Sequence, residues 1–269
     1  MKPVLTAMGC AFFSVLIGST AHANDKSADE ADTLWHQADQ YYGREAMDKA
    51  RQHELETMGG LNTSLLIADR LESQIQNGED VFLWDAQAWY GNDDHKLWIK
   101  TEGEYNFQSD KMEDAEVQAL WSKPVSAFWD VQAGLRYDFD PKGRTYLVAG
   151  VQGLAPYWFE VDASGFLSNK GDVTARIEAE YDMLWTQRLI LQPRLELNLA
   201  AQDIPELEIG AGLSGIDAGL RLRYEIRREF APYLGVEWQK KTGKTADFAR
   251  ADGEDPDTIK VLFGLRAWY

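Results

Sequence analysis

The chain has 269 residues, a formal net charge of -17 and a single cysteine. This length fits one large all-β domain. The strong negative charge argues against a nucleic-acid partner and is compatible with the attraction of cations. The only cysteine, Cys10, lies in a leader segment, so the mature chain can form neither disulfides nor thiolate metal sites.

Residues 1–23 have the pattern of a secretory signal peptide. A positive start at Lys2 is followed by an apolar run that begins at Cys10, and an Ala-His-Ala motif predicts cleavage after Ala23. No later apolar run approaches the roughly 20 residues of a membrane helix. A mature protein that enters a membrane must therefore cross it with strands.

Residues 24–63 are predicted to form a periplasmic N-terminal tail or plug. Residues 24–32 are polar and acidic, which predicts disorder. Residues 39–58 are rich in Ala, Glu, Lys, Arg, Gln and Met and are followed by two glycines. This composition with a glycine stop predicts a short helix.

Residues 64–269 alternate apolar and polar side chains with a period of two, which predicts strands. The candidate strands are 65–75, 81–91, 95–107, 112–123, 126–138, 144–154, 157–168, 171–184, 187–200, 213–228, 231–242 and 257–269. The fold class is therefore all-β, an antiparallel outer-membrane β-barrel of about 12 strands within a range of 10–14. Pro193 falls inside a candidate strand and predicts a bulge or an unpaired position there.

The predicted hairpin at 219–238 is compatible with two folds. Leu220 and Leu222 alternate with Arg221 and Arg223. A soluble sandwich would bury the apolar face, whereas a membrane barrel would turn it to lipid and the charges to a lumen.

The connections favour the barrel. Five joins are short, and they alternate with a set that includes long joins at 138–144, 201–212 and 242–256. Outer-membrane barrels have short periplasmic turns and longer outer loops. This sorting places both barrel ends on the predicted periplasmic side, and the aromatic end Trp268-Tyr269 is typical of such barrels.

The inward faces are predicted to carry a lattice of charges. The candidate lumen residues are Asp69, Glu72, Glu102, Glu104, Arg176, Glu178, Glu180, Asp182, Arg194, Glu196, Arg221, Arg223, Glu225 and Arg227. A bulge is needed for both Asp69 and Arg70 to face inward. The lattice either forms an acidic path for cations or consists of ions that pair with one another and plug a narrow barrel.

Tryptophans near the strand ends or on outward faces are predicted to form interfacial girdles. They are Trp84, Trp89, Trp98, Trp121, Trp129, Trp158, Trp185 and Trp268.

Six stretches carry a resemblance to a known family. They are ADRLE (68–72), WDAQAWYG (84–91), QGLAPYWFEVDASGF (152–166), TQRLILQPRLELNLAAQD (186–203), GLRLRYEIRREFAPYLGVEW (219–238) and TADFARADGED (245–255). The chain resembles the copper resistance protein B family over residues 65–269. The resemblance implies an outer-membrane barrel, in contact with lipid, that acts with a periplasmic copper-binding resistance protein. It also implies copper as a transported or transiently bound ligand.

Candidate copper ligands are few. The family commonly carries an N-terminal segment rich in Met and His, whereas this tail has only His36, Met47, His53 and Met58. Thioether sulfur and imidazole suit copper, but these four are also compatible with an ordinary short helix. His95, in a predicted short turn, is a candidate for a weak cation site or part of a plain polar turn.

The predicted function is copper resistance at the bacterial outer membrane, by binding copper or permitting its passage. An alternative is a structural or general cation-permeable barrel without copper specificity. A lipid hydrolase is a remote alternative, because the mature chain has three histidines and no Gly-x-Ser-x-Gly motif. No enzymatic activity is predicted.

Overall fold

The computed structural model describes residues 36–57, 61–76 and 79–269. The predicted signal peptide, the stretch 24–32 and Met58 lie outside the described residues. The chain divides into two units, residues 1–60 and 61–269.

The first unit contains two helices, α1 (Asp39–Tyr42) and α2 (Arg44–Thr57). They correspond to the helix predicted at 39–58, which is interrupted at Gly43, where φ is 82°. Glycine adopts this left-handed conformation without steric cost. Within the described residues, no helix is long and apolar enough to span a membrane.

The second unit is a closed barrel of twelve antiparallel strands, as predicted. The strands are β1 (Thr63–Gln76), β2 (Glu79–Gly91), β3 (Lys96–Asn106), β4 (Lys111–Ser126), β5 (Trp129–Asp140), β6 (Arg144–Ala155), β7 (Phe159–Ser168), β8 (Val173–Glu180, continued by Met183–Leu184), β9 (Leu189–Ala200), β10 (Gly212–Tyr224), β11 (Phe230–Lys241) and β12 (Asp257–Trp268). Consecutive strands pair, and β12 pairs with β1 to close the barrel. Closure leaves no free strand edge, and a sheet that spans a bilayer must have none because the hydrocarbon core offers no hydrogen-bond partners.

The barrel is apolar outside and polar inside. Arg221 and Arg223 are each 2% exposed, whereas Leu220, which lies between Gly219 and Arg221 on the opposite face of β10, is 42% exposed. The same inversion recurs on the other strands, with aliphatic side chains outward and charged ones buried. This arrangement excludes a soluble sandwich, whose buried face would be the apolar one.

Two rims are distinguished by their connections. The turn rim carries 92–95, 127–128, 156–158, 185–188 and 225–229 together with both ends of the barrel, and the described connections of the loop rim are 107–110, 141–143, 169–172, 201–211 and 242–256. The segment 242–256 contains helix α3 (Gly243–Asp252). The long join predicted at 138–144 is wrong, because β5 continues to Asp140 and leaves a connection of only 141–143.

The structure also corrects the end of β10. The predicted strand ran to residue 228, but β10 ends at Tyr224, and a bridge between Arg227 and Phe230 closes the turn. Glu225 and Arg227 therefore lie in a turn-rim connection and not on the inward face of a strand.

Two predicted irregularities are present. The register of β1 shifts between Ala68 and Arg70, so Asp69 and Arg70 both face the lumen across a bulge. At Pro193 the neighbouring strand β8 is interrupted, and pairing resumes only at Met183. The proline therefore faces a gap in its partner strand, where no backbone donor is needed.

Candidate functional site: the charged lumen

Five side chains form an ionic chain through the lumen. Arg176 on β8 contacts Glu102 on β3 (2.8 Å) and Glu116 on β4 (3.2 Å). Arg70 contacts the same Glu102 (2.6 Å), and Arg136 contacts the same Glu116 (2.6 Å). Buried charges are tolerated only when they are paired in this way. Each of the two glutamates thus binds two arginines.

A second cluster lies beside the first on β8 and β9. Arg194 contacts Glu178 (2.7 Å), Glu180 (3.3 Å) and Glu196 (2.5 Å). Arg176 approaches Glu196 to 3.6 Å and so connects the two clusters. The predicted lattice of Arg and Glu is present as one continuous network.

A third cluster is the most completely buried. Arg221 contacts Glu72 (2.6 Å) and Glu237 (2.9 Å), and the side chain of Glu72 is 0% exposed. Glu72 also accepts hydrogen bonds from the Tyr233 hydroxyl (2.9 Å) and from Gln74 (3.0 Å). Four hydrogen bonds from three partner side chains therefore satisfy a carboxylate that water does not reach.

Glycine makes room for this cluster. A Cβ atom at Gly264 would lie 2.5 Å from the Tyr233 ring, and one at Gly219 would lie 2.5 Å from a guanidinium nitrogen of Arg221. These two glycines were not predicted to have a role from the sequence. Their lumen-facing position beside a large side chain is visible only after the strands are paired.

The lumen contains a cavity of about 520 Å³ that we call the turn-rim vestibule. Near the turn rim it is bordered by Lys96, Phe128 and Leu154, and it ends at Glu102, Glu116 and Arg176. Its carboxylates are Asp69, Asp85, Glu102, Glu116, Asp130, Glu160, Asp162, Glu178 and Glu180, and its cationic groups are Lys96, Lys100, Arg176 and Arg266. Arg70, Arg136 and Arg194 lie outside this lining but pair with five of these carboxylates. A smaller excess of carboxylates remains, and it makes the vestibule attractive to cations.

Several vestibule charges are paired, either between adjacent strands or across the lumen. Lys100 contacts Asp162 (2.5 Å), and Arg266 contacts Asp69 (3.1 Å). Among the described residues, Glu160 has no cationic side chain within 4.0 Å. The vestibule thus retains acidic groups beyond those that its own cations neutralise.

Two tryptophans that were predicted to belong to the interfacial girdle face the lumen instead. Trp89 and Trp98 line the vestibule, with ring centroids 6.2 Å apart. Residue 98 follows the inward parity of Lys96 and Lys100 on β3, so its side chain faces the lumen. The other six tryptophans lie outside the lining of the vestibule, and exposed Trp121 and Trp158 are typical of an interfacial belt.

The lumen also contains an apolar cluster that the sequence analysis missed. Its members are Leu120, Tyr146, Val148 and Phe166. The Arg136 guanidinium lies 5.2 Å from the Tyr146 ring centroid and 4.9 Å from that of Phe166. Cation–π contact with two rings helps to hold this arginine beside Glu116.

All predicted lumen charges except Glu225 and Arg227 lie on inward faces. Glu104 faces the lumen without an ion pair within 4.0 Å among the described residues, and Asp182 contacts Arg223 (2.6 Å) across the gap in β8. Several other members of the network were not among the predicted lumen residues. They are Asp85, Glu116, Arg136, Asp138, Asp162, Glu237 and Arg266. The same period-two alternation on β2, β4, β5, β7, β11 and β12 was the signal available for finding them.

The loop rim carries ionic contacts of its own. Glu206 in the 201–211 connection contacts Lys170 (2.6 Å) and Arg144 (2.8 Å), and Lys244 on α3 contacts Asp203. The hydrogen bond from Lys170 lowers the pKa of Glu206 below its usual value. The hydrogen bond from Lys244 likewise lowers the pKa of Asp203. These pairs hold the longer connections of this rim in place.

The candidate copper ligands of the tail are only partly brought together. His36 Nδ1 lies 2.9 Å from Asp39, and ligand atoms of His36, Asp39 and Asp48 lie within 4.8 Å of one another. Arg51 donates to both aspartates at 2.7 Å, and its bond lowers the pKa of Asp39. His53 is five residues from Asp48, about 140° around the helix, and it is exposed.

Met47 and His95 occupy different surroundings. Met47 is half-buried on α2, and His95 is exposed on the turn rim, where its ring stacks on that of Trp121 (5.5 Å). Within residues 61–76 and 79–269, no three ligand atoms of His, Asp or Glu lie within 4.8 Å of one another. The described part of the barrel therefore has no preformed chelating site of these side chains.

Residues 62–269 match the family model described as copper resistance protein B precursor (CopB). The chain belongs to the copper resistance protein B family. It is 45% identical over 206 residues to "Copper resistance protein B" of Escherichia coli, covering 76% of this chain and 69% of that protein. It is 46% identical over 207 residues to "Copper resistance protein B homolog" of Pseudomonas syringae pv. tomato, covering 77% and 70%.

A solved structure supports the fold of this family member. The NanC porin superposes with a TM-score of 0.51 and 12% sequence identity, covering 76% of this chain and 99% of the porin. At this identity the likeness concerns the fold alone. Family membership and the closed barrel together make the chain an outer-membrane β-barrel with a role in copper resistance.

Proposed function

We propose that this family member lets copper ions cross the outer membrane through its charged lumen. The observation that carries the proposal is the acidic turn-rim vestibule. It offers nine carboxylates against four cationic groups, yet the described barrel residues form no three-ligand His, Asp or Glu cluster. Weak, distributed attraction of this kind favours entry and release over storage.

The turn rim is proposed to face the periplasm, because both barrel ends lie on it. In this orientation the tail lies in the periplasm. The vestibule opens toward the periplasm as well. A periplasmic copper-binding resistance protein is the proposed partner, since it would deliver or collect copper at this opening. The proposed role is non-enzymatic, and His95, the one histidine of residues 61–269, stacks on Trp121.

A general cation-permeable barrel is the second candidate. Carboxylates prefer harder ions than copper, and imidazole or thioether donors would be needed for copper selectivity. The strand methionines Met112 and Met183 are 39% and 41% exposed. They therefore offer little help to selectivity inside the lumen.

Copper flux decides between these candidates. The full chain is reconstituted into liposomes that enclose a copper indicator, and entry of Cu²⁺ is compared with entry of Ca²⁺. If copper passes through the barrel, Cu²⁺ should enter liposomes that contain the protein faster than liposomes without it. Equal rates with and without protein would contradict passage, and equal enhancement for both ions would favour the general barrel.

The tail is proposed to add a few copper contacts through His36, Met47, His53 and Met58. The quadruple alanine variant is expected to bind less copper per chain by metal analysis. His95→Ala is the matched control, because its ring lies on Trp121 and outside the tail. An unchanged stoichiometry in the quadruple variant would remove the tail from the mechanism.

A further inference from the structure

Arg176 reaches across the barrel. It is on β8, whereas its partners Glu102 and Glu116 are on β3 and β4, four or five strands away in a closed barrel of twelve. Most other ion pairs of the lumen join nearby strands, as Arg136 and Glu116 do. Among the described residues, Lys100 on β3 and Asp162 on β7 also pair across four strands, closer to the turn rim. The Arg176 contacts therefore form a cross-lumen bridge, and not a brace along one wall.

This bridge lies where the vestibule ends. The Arg176 and Glu102 side chains are 22% and 23% exposed, so the cavity reaches them. Next to them the Glu116 side chain is only 2% exposed. A cation that enters from the turn rim therefore meets a guanidinium placed across its path, which is an electrostatic and steric barrier.

The two glutamates do not depend on Arg176 for charge compensation. Glu102 retains Arg70 at 2.6 Å, and Glu116 retains Arg136 at 2.6 Å. Release of Arg176 leaves neither carboxylate uncompensated, so it avoids the large penalty of an unpaired buried charge.

A second position for Arg176 lies close by. Its Nε has no hydrogen-bond partner and lies 3.6 Å from Glu196 on the adjacent strand β9. A small rotation would exchange the cross-lumen bridge for a contact along the wall. Building on the passage function proposed above, we propose that Arg176 is the gate of the lumen, closed when it bridges to Glu102 and Glu116 and open when it lies against Glu196.

Conductance in planar bilayers tests this gate with KCl alone. The full-length Arg176→Gln variant removes the bridge and is expected to raise single-channel conductance roughly threefold and to increase cation selectivity. Arg223→Gln is the matched control. It also removes one lumen arginine, but Arg223 pairs with Asp182 two strands away and does not line the vestibule. Its conductance is expected to stay near the wild-type value.

A second variant opens the same gate with the opposite change of charge. In the Glu102→Gln, Glu116→Gln double variant Arg176 loses both far partners, while Arg70 keeps Asp85 (3.0 Å) and Arg136 keeps Asp138 (2.6 Å). Its conductance is expected to rise as well, but its reversal potential in a KCl gradient should shift toward anions. This second variant also covers the case in which Arg176→Gln does not fold.

Wild-type conductance in whichever of these two variants folds, verified by heat-modifiable gel mobility, would overturn the gate. The copper-passage proposal fails separately. If Arg176→Gln raises KCl conductance but no variant carries Cu²⁺ into liposomes, the gate stands and copper passage falls. If the wild type carries Cu²⁺ and neither variant alters conductance, the gate alone falls.

Discussion

At the scale of single residues, the cluster around Glu72 is closely packed although several of its members are charged. Tyr233 fits over Gly264 and donates to Glu72 at 2.9 Å, and Glu72 in turn binds Arg221. The ring, the carboxylate and the guanidinium are fixed by one another. Because Gly264 has no Cβ atom, the Tyr233 ring can lie where its hydroxyl reaches Glu72.

Gly264→Ala should destabilise the barrel by about 1–3 kcal/mol, because the added Cβ displaces the Tyr233 ring from Glu72. Gly215→Ala is the control. It lies on β10, where a Cβ would make only ordinary contacts with Asn198 at 3.7 and 3.8 Å. Its expected change is within about 0.5 kcal/mol. Urea unfolding in detergent micelles measures both, and equal stability of the two variants would contradict the packing argument.

At the scale of elements, the position of Pro193 on β9 corresponds to the side of the strand where a backbone N–H would have no partner. The Pro193 carbonyl accepts from the Tyr181 N–H at 3.2 Å, so its nitrogen also faces β8. That side is the gap between the two segments of β8. Two residues further on, Leu195 faces β8 where Ala179 is paired with it.

Leu195→Pro is therefore expected to cost about 3 kcal/mol or more, or to prevent assembly, because it removes a ladder hydrogen bond. Pro193→Ala should leave the barrel assembled, since the new N–H faces the gap. Heat-modifiable mobility on gels and circular dichroism check both variants. An assembled Leu195→Pro barrel of wild-type stability would show that this register is wrong.

The loop-rim contacts predict a pH dependence. Because the pKa of Glu206 is lowered, its contacts with Lys170 and Arg144 stabilise the 201–211 connection above the usual carboxyl pKa. That stability is lost as the pH falls through the lowered pKa. Hydrogen exchange in 201–211, corrected for intrinsic rates, should therefore become faster between neutral pH and about pH 3. Glu206→Gln should exchange faster at neutral pH already, and an unaltered rate would exclude the role of this pair.

The elements were largely predictable from sequence, and the errors have local causes. Period-two alternation located all twelve strands because one face of each meets lipid and the other meets the lumen. It overran β10 because Glu225 and Ile226 continue the alternation into a turn, and it overestimated the 138–144 join because β5 continues to Asp140. The alternation of apolar and polar residues does not indicate the residue at which backbone pairing ends.

At the scale of the whole molecule, closure brings together side chains that are far apart in sequence. Arg221 meets Glu72 because β12 pairs with β1, and Arg176 meets Glu116 because β8 lies opposite β4. The inward faces were predictable from alternation, but these partners were not. Partner choice depends on the stagger and tilt of all twelve strands, which no single strand specifies.

The charge distribution of the closed barrel predicts cation selectivity. With nine carboxylates and four cationic groups in the vestibule, the reversal potential in a KCl gradient should indicate preference for K⁺ at low salt. The preference should weaken toward 1 M salt, where the Debye length falls to about 3 Å. Anion preference at low salt would show that the vestibule charge does not govern entry.

The position of Trp89 and Trp98 has an optical consequence. Both indoles lie in the vestibule wall, with the Lys96 and Lys100 amines 5.2 Å and 5.8 Å from their respective ring centroids. A paramagnetic ion such as Cu²⁺ quenches the emission of an indole close to it, whereas Ca²⁺ does not. The chain therefore contains its own fluorescent reporter of vestibule occupancy. Replacing these two rings by phenylalanine separates its signal from that of the lipid-facing tryptophans.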